Sequence, residues 1–161
     1  MASGAEIKRK NPLALQGVVV NFKKLASREI AVGFPAGECE AYPDGTSVAQ
    51  VAASHVFGVG VPQRDFMALA KGDIAEKTRP ILEKIVEISS NRSGLGDAQK
   101  VDRLQNAAGM AAQSAIRQAI VDLDTPPNSP ATIAAKGSDN PLIDTGHMKD
   151  SVTWVVRERT R

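Results

Sequence analysis

The chain has 161 residues, of which 42% are hydrophobic and 24% charged, and its formal net charge is only +2. This is the composition of an ordinary globular protein, and residues 1–161 are predicted to form a single domain. The small net charge gives no bulk electrostatic case for nucleic-acid binding. The single cysteine excludes an intramolecular disulfide, and no apolar run approaches the roughly 20 residues of a membrane span.

Two elements are predicted at the start of the chain. Residues 1–27 are predicted to form an N-terminal helix, because apolar residues recur there at spacings of three, four and three: Leu15, Val18, Phe22 and Leu25. The run of valines at 18–20 would suit a strand, but the spacing favours the helix. Residues 28–34 alternate apolar with polar or small positions and stop at Pro35, which predicts a strand.

The middle of the chain, residues 28–123, is predicted to hold this strand and a helical core. A helix over about residues 64–89 contains Pro80, which either kinks or restarts it. The strongest helix runs from about residue 97 to residue 123 and would be roughly 40 Å long. Its buried face is predicted to consist of small and aliphatic residues: Val101, Leu104, Ala108, Ala111, Ala115, Ala119 and Leu123.

Residues 124–147 differ from the rest because they contain four prolines and little apolar content. They are predicted to form an extended assembly loop with at most one short helix, poorly ordered alone and ordered on binding. Residues 148–161 are predicted to supply the C-terminal strand. The fold class is therefore α+β, with a small antiparallel sheet packed against long α-helices and a long extended loop before the C-terminal strand.

The sequence Leu-Ile-Asp-Thr-Gly at residues 142–146 is the strongest indication of catalysis, since Asp-Thr-Gly after two apolar residues is typical of aspartic proteases. Only 15 residues follow Gly146, too few for the strands that such an enzyme needs downstream. We expect instead that Asp144, Thr145 and Gly146 cap a short helical turn: the side-chain oxygen of Asp144 or Thr145 accepts an N–H, and Gly146 lets the backbone pass closely. An aspartic-type protease using Asp144 stays a distant alternative.

The other candidate reactive residues are weaker. His55, His147 and Cys39 show no spacing typical of metal ligands, so no metal site and no cofactor are predicted. His55 is expected to be a partly buried histidine rather than a general base, and a nucleophilic Cys39–histidine pair stays open without a supporting motif. Basic residues near both ends are expected to be solvated, with contact to a polyanion such as DNA as the alternative: Lys8, Arg9, Lys10, Arg157, Arg159 and Arg161.

Two segments together resemble a known family. Residues 51–66 contain Val-Ala-Ala-Ser-His-Val-Phe-Gly and then Val-Pro-Gln-Arg-Asp-Phe. Residues 127–152 contain Pro-Asn-Ser-Pro-Ala-Thr-Ile-Ala-Ala-Lys-Gly and then Pro-Leu-Ile-Asp-Thr-Gly-His-Met-Lys-Asp-Ser-Val. In this order and at this separation they are similar to the signatures of a family of long-tailed bacteriophage proteins described as virion morphogenesis, neck, minor tail or tail-completion proteins. His55 departs from the family pattern, in which many members carry Glu.

The resemblance implies a non-enzymatic structural protein that forms a homo-oligomeric ring of six copies at the head–tail junction. The ring would join the head connector or stopper to the tail tube, with phage DNA passing through it; a tail terminator capping the tube is the alternative. The protein would be found in the neck or tail of the virion, and in the host cytoplasm during assembly, with no membrane partner. Six residues of the 124–147 segment are expected to contact a neighbouring subunit or ring: Asn128, Ser129, Pro130, Thr132, Lys136 and Pro141.

Overall fold

A computed structural model of the chain describes residues 12–90 and 98–159, with side chains from Gln16 onward. The elements in these ranges are α1 Pro12–Ala26, β1 Arg28–Gly33, α2 Val48–Phe57, α3 Phe66–Ser90, α4 Ala98–Asp122, α5 Pro130–Lys136, α6 His147–Asp150 and β2 Thr153–Glu158. Long helices pack on a small antiparallel sheet, so the predicted α+β class is confirmed. The basic residues at 8–10, Arg161, and the predicted start of the long helix at residue 97 lie outside the described residues.

The main packing interface joins α3 to α4, which have 25 residues each and are therefore roughly 37 Å long. The buried residues of α4 are mostly small, which lets a neighbouring helix approach closely: Gln105, Ala108, Gly109, Ala112, Ala115, Ile116, Ala119 and Ile120. The predicted face is confirmed at Ala108, Ala115, Ala119 and Leu123, whereas Val101, Leu104 and Ala111 are only half-buried. α3 runs on through Pro80, so this proline does not restart the helix.

The sheet consists of β1 and β2 in antiparallel register, from Arg28 opposite Glu158 to Gly33 opposite Thr153. It lies on α4, which contacts both strands. On this face the indole Nε1 of Trp154 donates to Asn106 Oδ1 at 3.3 Å. The predicted C-terminal strand is confirmed.

The core gathers residues from helices and from the C-terminal segment. Its buried members include Val48 and Ala52 of α2, the first turns of α3 and the second half of α4. Leu142, Met148 and Val152 complete it from the segment that leads into β2. None of the helices in the described ranges combines the length and the apolar character that a membrane span requires.

The contact between Gly109 and the Trp154 ring gives a test of this packing. A Cβ at position 109 would lie 2.5 Å from Trp154 Cγ and closer still to Cδ1, whereas a Cβ at Gly72, in α3, would meet nothing within 4 Å. We expect Gly109→Ala to lower the free energy of unfolding by about 1–3 kcal/mol because the indole must move. Gly72→Ala, the matched control, should raise it by about 0.5–1 kcal/mol because alanine favours a helix. Chemical denaturation of both variants measures the difference, and equal stability of the two would contradict the packing described.

Candidate functional site at the junction of the two motif segments

The guanidinium group of Arg64 joins the two segments that carry the motifs. Arg64 lies between α2 and α3 and is only 5% exposed. Its Nε donates to the carbonyl oxygen of Pro126 at 2.9 Å. Its Nη2 donates to the carbonyl oxygen of Pro127 and to Asn128 Oδ1, each at 3.2 Å. Burial lowers the pKa of the Arg64 guanidinium, and the three oxygen acceptors offset part of the cost of removing this charge from water.

Asn128 extends the hydrogen bonds of Arg64 to the other end of the 124–147 segment. The side chain is buried, and while its Oδ1 accepts from Arg64, its Nδ2 donates to the carbonyl oxygens of Asp139 at 3.4 Å and Asn140 at 3.2 Å. One amide therefore holds the start of the segment to its end. The peptide bond between Thr125 and Pro126, just before, is cis.

Asn140 closes the same segment onto α4. Its Nδ2 donates to the carbonyl oxygen of Val121 at 2.9 Å, near the C-terminal end of that helix. Its Oδ1 accepts the N–H groups of Leu142 and Ile143, each at 3.0 Å. The segment is a long stretch with one short helix before α6, and its ends are hydrogen-bonded to each other and to the helical core.

Helix α5 lies within this closed segment and is ordered by its caps. Ser129 Oγ accepts the N–H of Thr132 at 3.2 Å, and Pro130 occupies the start of the helix. Gly137 ends it with a φ of 69°, a left-handed conformation that glycine adopts readily. The predicted short helix is confirmed, and no residue of α5 is buried.

The turn at residues 144–147 is capped by one of the three residues predicted to cap it. The N-cap of α6 is Gly146, whose φ of 84° is the reason for glycine there, since a Cβ would make only an ordinary 3.5 Å contact with Asp150 Oδ2. Thr145 Oγ1 accepts the N–H of His147 at 3.3 Å. Asp144 is exposed and, among the described residues, makes no hydrogen bond through its side chain. The predicted capping role of Asp144 is therefore wrong, and that of Thr145 is limited to one bond within the turn.

A cavity of about 550 Å³ lies beside this turn and brings both histidines of the chain together. Its polar lining includes Tyr42, His55, Lys136, Asp144, Thr145 and His147. The rings of Tyr42 and His147 lie 4.7 Å apart between centroids. Within the described ranges, His55 Nδ1 and His147 Nε2 are buried nitrogens without a hydrogen-bond partner. Cys39 is not part of this lining, and its Sγ donates to the carbonyl oxygen of Ser151 at 3.3 Å.

The charges around the cavity are mixed. Burial lowers the pKa of His55, and the positive charges of Arg64 and Lys136 lower it further. Burial raises the pKa of Tyr42, and the nearby carboxylates of Asp144 and Asp44 raise it further. In the parts of the chain that the structure describes, no three His, Cys, Asp or Glu side chains lie close enough together to hold a metal ion.

The six predicted contact residues fall into two groups. Ser129, Pro130 and Thr132 are exposed on α5 or at its start, and Lys136 is partly exposed while its Nζ donates to the carbonyl oxygen of Asn140 at 3.2 Å. Asn128 and Pro141 are buried within the chain, and partner contact by all six residues stays a prediction. A proline-rich sequence with few apolar residues gives no indication of these internal bonds.

Comparison of the chain with protein-family models, with curated proteins and with solved structures found no match.

Removal of the Asn128 amide tests the internal anchor. Asn128→Ala leaves the buried Arg64 guanidinium short of one acceptor and two carbonyl oxygens short of a donor, so we expect a loss of about 1–3 kcal/mol in unfolding free energy. Gln50→Ala removes an exposed amide from α2 and serves as the control, with a change within about 0.5 kcal/mol. Urea denaturation distinguishes the two. Equal stability of both variants would show that the segment does not depend on Asn128.

The lowered pKa of His55 sets a direction for the pH dependence of stability. When the pH falls below about 6.5, His55 is protonated in the unfolded chain but resists protonation in the folded one. The contribution of neutral His55 to the free energy of unfolding is therefore complete above about pH 6.5. It is lost as the pH falls toward the pKa of His55 in the folded chain. We expect His55→Gln to lose less stability than the wild type between pH 7.5 and pH 5.5, measured by urea denaturation. An identical pH slope in both proteins would contradict this assignment.

Proposed function

We propose that this chain is a non-enzymatic structural protein of a tailed bacteriophage. It forms a ring at the head–tail junction and joins the head connector to the tail tube, with the tail-terminator role as the alternative. The sequence support is the resemblance of the two motif segments to the virion morphogenesis family. The structural support is that Arg64 and Asn128 join these segments into one packed unit that carries α5.

The observation that carries the proposal is an ordered helix with no buried residue. α5 gains its order from its caps and from the bonds that close the segment around it, not from packing on the core. An isolated helix of this length is unstable in water. Since no residue of α5 is buried, these hydrogen bonds are what hold it in place. Ile133, 36% exposed, presents an aliphatic side chain on it. A helix held in this way suits docking onto a neighbouring protein.

Other exposed apolar residues support a protein with several interfaces. At the C-terminal end of α2, Phe57 is 73% exposed, and Val59, just after the helix, is 67% exposed. On α1, Val19 and Val20 are also more than half exposed. Clusters of exposed apolar side chains mark interaction surfaces in soluble proteins, and a ring subunit contacts neighbours on several sides.

The function is tested in the phage that encodes the chain. Deletion of its gene should yield separate heads and tails, because neither structure needs the ring to form. Addition of the purified protein should join them, as counted by electron microscopy and by infectious titre. Intact, infectious particles without the gene would overturn the proposal.

The role of α5 is tested by Ile133→Asp, with Met110→Asp on α4 as a matched control because Met110 is also exposed, at 56%. Both variants should keep the wild-type far-UV circular dichroism and melting temperature, since neither side chain is buried. Ile133→Asp should join heads to tails at least about tenfold less well, the cost of placing a carboxylate in an apolar contact. Wild-type joining by a folded Ile133→Asp protein would exclude α5 as the contact.

A further inference from the structure

Among residues 12–90 and 98–159, nothing pairs with the outer edge of either strand of the two-stranded sheet. The N–H of Arg159 donates to the carbonyl oxygen of Ser27 at 2.7 Å, and this bond fixes the alternation of the antiparallel ladder. Residues at 29, 31 and 33 therefore bond to their partners on β2, while the backbone groups at 28, 30 and 32 point away from the ladder. On β2, the backbone groups at 154, 156 and 158 point outward in the same way. Among the described residues, these outward groups have no backbone hydrogen bond.

An apolar groove runs beside the outer edge of β1. It has a volume of about 320 Å³ and is lined by Leu25, Arg28, Ile30, Leu82, Ile85 and Val86, with Gln105. Leu82 and Val86 belong to α3 and are 44% and 50% exposed. A strand added next to β1 would lie over these two side chains. The groove thus combines unused backbone groups with apolar surface, the two features of a site that accepts a β-strand.

The outer edge of β2 matches this groove in length, polarity and charge. The elements that pack on β2 are β1 and α4, and the side chains at 154, 156 and 158 lie on the α4 face of the sheet, as the Trp154–Asn106 bond shows. Antiparallel pairing of β2 from a second copy with β1 can place Val156 opposite Ile30. The same register puts the exposed carboxylate of Glu158 opposite Arg28, whose Nη1 also pairs with Asp102 of its own chain, so a second carboxylate meets the guanidinium.

We propose that β1 of one copy pairs antiparallel with β2 of a second copy, so that the sheets of successive copies join edge to edge. The two edges are different surfaces, so the contact is heterologous, and it closes into a ring if the rotation between copies allows. Copies related by rotation about an axis along the strands would form one continuous antiparallel sheet without a free edge. As part of a virion ring this inference rests on the proposed function, but the pairing is a property of the purified chain.

Proline substitutions test the outward N–H groups of β1 and β2 without removing the hydrogen bonds between these two strands. Ile30→Pro and Val156→Pro each remove an N–H that points outward, so the bonds between β1 and β2 are retained. The wild-type chain should associate with increasing concentration in sedimentation velocity. Each proline variant should associate about tenfold or more weakly, because a backbone donor is lost in the middle of the contact. Val156→Ala keeps the N–H and loses only methyl groups, so it should associate more strongly than Val156→Pro.

Mixing the two proline variants gives the sharpest result. Ile30→Pro keeps an intact β2 edge and Val156→Pro keeps an intact β1 edge, so the mixture should form a one-to-one dimer and grow no further. Leu82→Glu, at an exposed position on the groove, provides a variant without backbone change and should also weaken association. Far-UV circular dichroism checks that each variant is folded.

Three results would overturn the pairing. They are a wild-type chain that stays monomeric at every concentration, loss of association in only one of the two proline variants, and a mixture that stays monomeric although the wild type associates. All three are distinct from failure of the proposed function, which is decided by head–tail joining in the phage. If Val156→Pro is folded and joins heads to tails as well as the wild type, this inference fails while the proposed function stands.

Discussion

The structure depends most on one buried charge, the guanidinium group of Arg64. Among the described residues, Arg64 is the only charged residue that is buried. The three oxygen atoms that accept hydrogen bonds from its side chain all belong to residues 126–128. A guanidinium group in this setting requires acceptors in fixed directions, because it presents planar donors and cannot lose its proton. The chain around it must therefore adopt one path. The positions of α5 and of the cavity beside α6 follow from that path.

The regular elements could be predicted from the sequence because their causes are local. The spacing of apolar residues in α4 and the alternation in β1 are properties of a few neighbouring positions, and both elements formed as predicted. The 124–147 segment could not be predicted in the same way. Its order comes from Asn128 and Asn140, whose amides bond to groups that are distant in sequence or lie in loops. The composition indicated a loop with few apolar residues, and its order comes from these hydrogen bonds together with the burial of Leu142.

The candidate site could also be predicted only in part from the sequence. His55 and His147 are separated by 92 positions and share no ligand spacing, yet α2 and α6 bring them to one cavity. Asp144 or Thr145 was predicted to supply the capping oxygen, with Gly146 beside them, and the N-cap of α6 is Gly146 in a left-handed conformation. A side-chain cap needs the residue just before the helix, and here Gly146 occupies that position. The identity of the cap depends on the backbone angle, which the pattern Asp-Thr-Gly does not specify.

The turn at Asp144 also explains how a surface segment and the sheet are held together. Leu142 lies in the core before the turn, and Met148 and Val152 lie in the core after it, so both sides are fixed by burial. The carbonyl oxygen of Val152 then accepts bonds from Gln113 at 2.6 Å and from Arg117 at 3.0 Å, which aligns the start of β2 on α4. α5 and β2 are therefore connected through the buried residues Leu142, Met148 and Val152. If both surfaces are used in assembly, the chain offers two contacts fixed in one frame, and docking at one restricts the geometry available at the other.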